Sequence, residues 1–474
     1  VLTLADILEA LNQPRPQKAT AAIPHAAIDS RQVEKGSLFI AIPGEKVDGH
    51  DFVANAFADG AAFALIEHKV SGNAKTLDLR NQLSQEGVED LDAPLCLLVD
   101  NTIEALQEIA RFWRNKLDLC VIGITGSVGK STTKELAAKV LRRKYRTLKN
   151  FGNLNNEIGL PLTILGLRSD HERAILEMGF YVPGEINFLC EIAQPQVGVI
   201  TNIGTVHAER AGSQEAIARG KAELVQALPP APKGTAILNY DDIRVREMAK
   251  MTKARVFFYG LSPEADLWAD EVEGLGLDGI RFRLHYKHET LHLRIPLIGR
   301  HSVHTALRAT AIALVEGLQW QEIISGLKST SRAELRLVAA RSKCGALLLD
   351  DTYNASPAST LAALNLLEEM DGKHIAVLGD MLELGQYERQ GHEMIGLRAA
   401  EVADQLLTLG ERAHIIAEAA RKAGMPAENI LEFEEKELLT KWLKDNLKST
   451  DTVLLKGSRG LRMDRITAAL EAEK

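Results

Sequence analysis

Residues 118–145 read DLCVIGITGSVGKSTTKELAAKVLRRKY, and this stretch decides the fold. Its opening apolar run has the length and branched content of a buried strand. Its closing part, STTKELAAKVLRRKY, has the pattern of an amphipathic helix. Between them lies GITGSVGKST (Gly123–Thr132), in the strand–loop–helix context that a phosphate-binding loop requires. Gly126 and Gly129 let backbone N–H groups curl around phosphate oxygens without a Cβ clash. Lys130 adds a positive charge, and Ser131 places a hydroxyl at the helix N-terminus, where it can bind Mg²⁺. Thr125, Ser127 and Thr132 complete the loop. The spacing departs from the usual pattern, which has four residues between its glycines. A plain glycine turn is the alternative reading, and the buried strand before and amphipathic helix after argue against it.

Outward from the loop, strands and helices alternate: RAILEMG, PQVGVITNIG, SQEAIARGKAELVQAL and GTAILNYDD. That order implies a mostly parallel sheet with α/β architecture. At Gly279–Ile295 the texture changes. Phe282, Leu284, Leu291, Leu293 and Ile295 alternate with Arg and His, which predicts an antiparallel hairpin with one wet face. Beyond it, GALLLDD, HIAVLGD, DQLLTLG, NILEFE and DTVLLKG each precede a helical segment, which predicts a doubly wound, Rossmann-like domain. Three domains follow: 1–95, 96–332 and 333–474. In the first, the polar stretch from Ser71 to Pro94 reads as an exposed excursion.

The 474 residues are enough for roughly three domains at the usual ~150 residues each. Lys plus Arg number 56 against 64 Asp plus Glu, a net charge of −8 with no footprint for nucleic acid. Local basic pockets remain compatible with that balance. Four scattered cysteines, with no C-x-x-C pair, argue against structural zinc and fit a reducing compartment. No run approaches ~18 apolar residues, so no membrane span is expected. The opening VLTLADILEALNQP lacks the features of a secretory signal. A cytoplasmic monomer acting on small molecules is the expectation.

Several blocks, in order, resemble the Mur ligase family, which builds the peptidoglycan precursor: TGSVGKST, NLNNEIGLPLTIL, LEMG, TNIGTVHAE and SQEAIARGKAEL. DSRQVEKGSLFIAIPGEKVDGHDF (Asp29–Phe52) is similar to the family's uridine-nucleotide domain. DDTYNASP, GDMLELG and KGSR resemble the branch that adds D-alanyl-D-alanine to a UDP-N-acetylmuramoyl tripeptide. The D-N-P-R string expected of the branch adding the third residue is absent. The resemblance implies that ATP phosphorylates the substrate carboxylate to an acyl phosphate, which the amine of D-alanyl-D-alanine attacks. In such chemistry the protein contributes mainly positioning and charge neutralisation.

The resemblance also implies roles for residues. Lys130 would neutralise phosphates. Ser131, Glu177, His207 and a carbamylated Lys221 would hold Mg²⁺. A plain reading makes Glu177 a solvated strand end, His207 a surface histidine and Lys221 one more helical lysine. Carbamylation needs a neutral amine. Asn155, Asn156 and Thr201 would meet the substrate, although asparagines also cap helices. The family's H-N-x-x-N block is altered in GRHSVHTALRATAIA, where Ser302 and His304 are read in place of the asparagines and His304 is left as the adenine candidate. Arg336 is the candidate hinge arginine, with Arg332 as competitor. Asp350, with Asp351, would meet the ribose or the domain interface. Asn354, Glu383, Lys456, Ser458 and Arg459 are assigned to the dipeptide and acyl-phosphate side. Ser30, Arg31, Asp48 and His50 are candidates for the uridine diphosphate. The rivals are a folylpolyglutamate-type ligase, which would not need the first domain, and a P-loop regulatory ATPase.

Overall fold

The computed structural model describes residues 1–44, 47–70, 74–83, 91–329 and 338–471. The chain divides into two compact units. One comprises Val1–Gly123, Tyr145–Gly179 and Glu185–Val197. The other comprises Ile124–Lys144, Phe180–Gly184 and Gly198–Lys474.

The first unit contains a parallel five-stranded sheet. Ala26–Ala27, Leu38–Ile40, Phe63–Ile66, Leu95–Leu98 and Lys75–Asp78 lie in that spatial order. The polar excursion expected after Ser71 therefore contains an edge strand, Lys75–Asp78, paired with Leu95–Leu98. Its sequence, KTLD, carries one apolar residue, and an edge strand needs no continuous apolar run. The boundary read at 95/96 falls inside the strand Leu95–Leu98. Phe39, Ala64 and Leu98 are buried against Val53 and Ala56 of the helix Val53–Ala58. Thr147–Lys149 pairs in parallel with Arg173–Glu177 in the same unit.

In the second unit, Thr235–Asn239 and Arg255–Gly260 pair in parallel. The strands Leu267–Gly274, Ile280–Tyr286 and Glu289–Ile295 then form an antiparallel ribbon. The hairpin matches the alternation: Phe282, Leu284, Leu293 and Ile295 are buried, while Arg281, His292 and Arg294 are exposed.

The C-terminal sheet runs Val338–Arg341, Leu347–Asp350, Asp451–Lys456, Lys373–Gly379, Gln405–Leu409, Ile430–Phe433. All pairs are parallel except the first, an edge strand not anticipated from sequence. Two apolar cores cover the two faces. Leu364, Leu367, Ile395, Ala399, Ile416 and Ala420 pack on one. Leu439, Leu443, Ile466 and Leu470 pack on the other. At about 1.5–3 kcal/mol per fully buried large aliphatic side chain, these cores hold the strand ends in place. The carboxyl ends of Leu347–Asp350, Lys373–Gly379 and Asp451–Lys456 therefore present their following loops together, the edge at which such sheets bind ligands.

Candidate active site

Cys120–Thr125 is a strand and Lys130–Leu141 a helix, so residues 126–129 form the loop between them. Gly126 sits at φ 141°, and a Cβ there would lie 1.8 Å from the Thr201 hydroxyl. Gly129 sits at φ 86° as the residue preceding the helix. Neither position tolerates a side chain. The loop is pinned from one side by residues 201–204. Ser127 N–H donates to the Asn202 carbonyl at 2.9 Å, and Val128 N–H donates to Asn202 Oδ1 at 3.0 Å. Gly204 N–H donates to Ser127 Oγ at 2.8 Å. Lys130 Nζ curls back to donate to the Gly126 carbonyl at 2.8 Å. The Thr201 hydroxyl is buried beside Gly126 without a partner. A loop held this way, with an orphaned hydroxyl against it, suits a polyanionic ligand.

The loop lines a cavity of about 360 Å³. Ser127, Gly129, Lys130, Ser131, Thr132, Ser302 and His304 contribute to it, and so do Asp351, Asn354 and Lys456. The phosphate loop and residues at the carboxyl ends of Leu347–Asp350 and Asp451–Lys456 thus share one enclosure. Lys456 is almost fully buried; its ammonium pairs with the Asp351 carboxylate and donates to the Asn354 carbonyl at 2.9 Å. Asp350 does not line the cavity: its carboxylate accepts from Thr352 N–H at 3.0 Å and Thr352 Oγ1 at 2.6 Å. Its neighbour Asp351 is the aspartate that faces the cavity. Counted from His301, the H-N-x-x-N pattern puts its second asparagine at Thr305, one position past His304. Thr305 and His304 both line the cavity, and His304 Nε2 lies 2.9 Å from Asp241 Oδ2. Arg336 and Arg332 lie outside the described residues.

His207, Lys221 and Glu383 surround the same loop region. Lys221, on the helix Gln214–Gln226, is buried; its Nζ donates to the Gly126 carbonyl at 3.1 Å and lies 4.6 Å from the centre of the Phe180 ring. The plain reading of a solvated lysine is therefore corrected: this face of the helix is packed. His207 Nδ1 lies 2.6 Å from Glu383 Oε2. Burial pushes the His207 imidazole below its ordinary pKa, outweighing the opposing pull of Glu383. A carboxylate only accepts, so the neutral ring carries its proton on Nδ1 and its lone pair on Nε2. Glu383, assigned from sequence to the dipeptide side, is engaged by His207.

Of two further C-terminal candidates, Ser458 ties loops together and Arg459 does not. Ser458 Oγ accepts from Leu382 N–H at 2.8 Å, and Ser458 N–H donates to the Asp380 carbonyl at 3.0 Å. Arg459 is exposed, 5.8 Å from the Tyr353 ring centre. Sequence reading did not single out Asp380, whose buried carboxylate accepts from Arg412 and Ala413 N–H at 2.9 and 2.7 Å. Nor did it single out Arg308, a buried cation lining the cavity.

The remaining candidates belong to the other unit. Glu177 is buried at the end of Arg173–Glu177 and accepts from Asn155 Nδ2 at 2.9 Å. It is not the solvated strand end of the plain reading. Asn156 Oδ1 accepts from Gly159 N–H at 2.9 Å, just before the helix Gly159–Leu165, so its side chain is engaged locally. Arg31 is exposed and forks onto Asp29, with Ser30 beginning the same 3₁₀ turn. Asp48 accepts from His50 N–H, and its carboxyl is held down at about 2 chiefly by that bond. His50 corrects its sequence reading. Its ring is buried, Nδ1 faces Asp48 at 2.6 Å, and Nε2 accepts from Glu67 N–H at 2.8 Å. No nitrogen is left for a nucleotide. The same count disqualifies Asp48, His50 and His68, whose ligand atoms lie within 4.8 Å, as a metal centre.

Three family models match the chain. Residues 23–114 match the Mur ligase family, catalytic domain; 124–313 the Mur ligase middle domain; and 335–459 the Mur ligase, glutamate ligase domain. The chain is 35% identical to the UDP-N-acetylmuramoyl-tripeptide–D-alanyl-D-alanine ligase of Bacillus subtilis, over 96% of this chain and 94% of that one. It is similar to the crystal structure of MurF from Acinetobacter baumannii, with a TM-score of 0.83, 31% identity and 98% of both chains covered. It is also similar to MurF ligase from Thermotoga maritima in complex with ADP, with a TM-score of 0.76, 27% identity, and 94% and 96% coverage.

Proposed function

Because this chain belongs to the Mur ligase family, we propose that it joins D-alanyl-D-alanine to a UDP-N-acetylmuramoyl tripeptide at the expense of ATP. The supporting observation is the cavity that the phosphate loop shares with Asp351, Asn354 and Lys456. It favours a reaction that brings a nucleotide and a second substrate together, over simple ATP hydrolysis by a regulator. The first region, with Ser30, Arg31 and Asp48, is assigned to the UDP substrate, the second to ATP and the third to the dipeptide.

ATP supplies the phosphoryl group that converts an unreactive carboxylate into an acyl phosphate. The residues do the rest. Lys130 and the backbone N–H groups of Gly129–Thr132 hold phosphate charge, while those of Ser127 and Val128 are spent on Asn202. Lys456, fixed by Asp351, keeps a cation at the cavity wall, where negative charge passes from carboxylate to phosphate. Asn354, Ser458 and Arg459 are assigned to the dipeptide and acyl-phosphate side, where Ser458 ties the loops at Asp380 and Leu382 together. Asn155 and Thr201 are assigned to substrate positioning. We carry Ser131, His207 and Lys221, the last once carbamylated, as Mg²⁺ ligands; a metal role for Glu177 is what the family resemblance implies. Hydroxyl and carboxylate oxygens suit that cation, and the Nδ1-protonated His207 offers Nε2. The reading places the enzyme in the cytoplasm, as a monomer; no helix among the described residues is long and apolar enough to cross a membrane.

The test is product identity. ATP, UDP-N-acetylmuramoyl tripeptide and D-alanyl-D-alanine are incubated with the chain and analysed by mass spectrometry. The pentapeptide is expected. Its absence, with the tripeptide recovered intact, would overturn the reading.

A further inference from the structure

Arg308 lies on the helix Ser302–Val315, among Ala306, Leu307, Ala309 and Ala311, and is only 4% exposed. Its Nε donates to Thr133 Oγ1 at 2.7 Å, one terminal nitrogen to Thr305 Oγ1 at 2.9 Å, and the other reaches the Tyr259 hydroxyl at 3.5 Å. All three partners are neutral. Among the described residues no carboxylate pairs with this guanidinium; nearby Asp241 is taken by His304 and by the backbone N–H groups of Leu261 and Ser262.

A buried cation without an anion is costly, and three neutral hydroxyls do not need a charge to satisfy them. Arg114 makes the contrast. It is equally buried, but its three nitrogens donate to the carbonyls of Ala193, Leu117 and Leu119 at 2.9–3.2 Å, which closes the group off. Arg308 instead lines the cavity beside the phosphate loop. A Cβ on Gly129 would lie 2.8 Å from its terminal nitrogen, so the guanidinium occupies the space beside that glycine of the loop. Thr133 Oγ1, which receives the Arg308 Nε bond, itself donates to the Gly129 carbonyl at 2.6 Å.

We propose that Arg308 is a phosphate-binding residue for the nucleotide, its buried charge completed by a phosphate oxygen held at the loop. This rests on the reading that the cavity takes a nucleotide. It adds a second protein cation, from a different helix, to the Lys130 of the motif.

The experiment compares ADP with adenosine in the full chain without metal, by calorimetry or competition. Arg308→Leu is expected to weaken ADP at least tenfold and adenosine less than twofold, with Arg308→Lys between. Equal losses for both ligands, or unchanged ADP affinity, would overturn the assignment. If Arg308→Leu does not fold, thermal melting with inorganic pyrophosphate decides on Arg308→Lys. Pyrophosphate should stabilise the wild type more than this variant, and equal stabilisation overturns the proposal. A wild-type chain that binds no ADP would sink the nucleotide reading itself, and this proposal with it.

Discussion

His207 Nδ1 and Glu383 Oε2 lie 2.6 Å apart, and both residues hold left-handed backbone, at φ 66° and 64°. Two non-glycine residues in that region, meeting side chain to side chain, cost energy that the surrounding structure must hold in place. Glu209 N–H donates to the Glu383 carbonyl at 3.3 Å, and the Tyr181 ring meets the His207 ring edge-on at 4.8 Å. The contact joins residues 176 positions apart in sequence. It couples the loop after Lys373–Gly379 to the histidine beside the phosphate loop.

Glu383→Ala should therefore lower kcat by about 10–100-fold, the usual range for losing a group that orients a metal-binding histidine, the role proposed for His207. Glu383 does not line the nucleotide cavity, so the KM for ATP should change little. Glu383→Gln, which retains an accepting oxygen, should recover part of the loss. Steady-state kinetics check this, and a wild-type kcat in Glu383→Ala would refute it.

Lys130→Ala should cut turnover by at least about 100-fold while the fold survives, because a preorganised charge on phosphate is lost and little packing goes with it. Circular dichroism and single-turnover assays separate the two effects. Near-normal turnover would contradict the assignment of the loop.

The Lys456–Asp351 pair predicts an asymmetric stability cost. Lys456 is nearly fully buried and Asp351 partly so. Asp351→Asn leaves a buried ammonium with carbonyl partners only, and should cost about 3–5 kcal/mol in denaturant unfolding. Lys456→Met, which replaces the charge by an apolar chain of similar length, should cost less.

His392 predicts a pH effect. It is fully buried; Nε2 accepts from Met381 N–H at 3.1 Å and Nδ1 faces the Glu388 carbonyl at 2.7 Å. Burial pushes its pKa below the ordinary 6.5. Above that value both folded and unfolded states are neutral. Below it the unfolded chain takes a proton that the folded one resists, so stability falls as pH falls through this window. Thermal melting should show the wild type losing more than His392→Gln between neutral and mildly acidic pH. Parallel curves would contradict it.

What the sequence carried was local. The phosphate loop, the alternating hairpin and the C-terminal strand–helix units are each decided by residues within a few positions of one another. What it missed depends on contacts at long range. Lys456 meets Asp351 across 105 residues, and Arg308 meets Thr133 across 175. Alone in an apolar helix, Arg308 gives no signal of its destination. His50, a candidate for the uridine diphosphate, misled because nothing beside it in sequence shows that its ring folds inward to bridge Asp48 and Glu67. Lys75–Asp78 was missed because an edge strand can be polar.

The central claim is a ligase whose nucleotide chemistry is tied to two further substrates. It is tested most directly by ADP release measured with UDP-N-acetylmuramoyl tripeptide alone, D-alanyl-D-alanine alone, and both together. Rapid release only when both are present is the predicted result. Release at the same rate with either one omitted would contradict it.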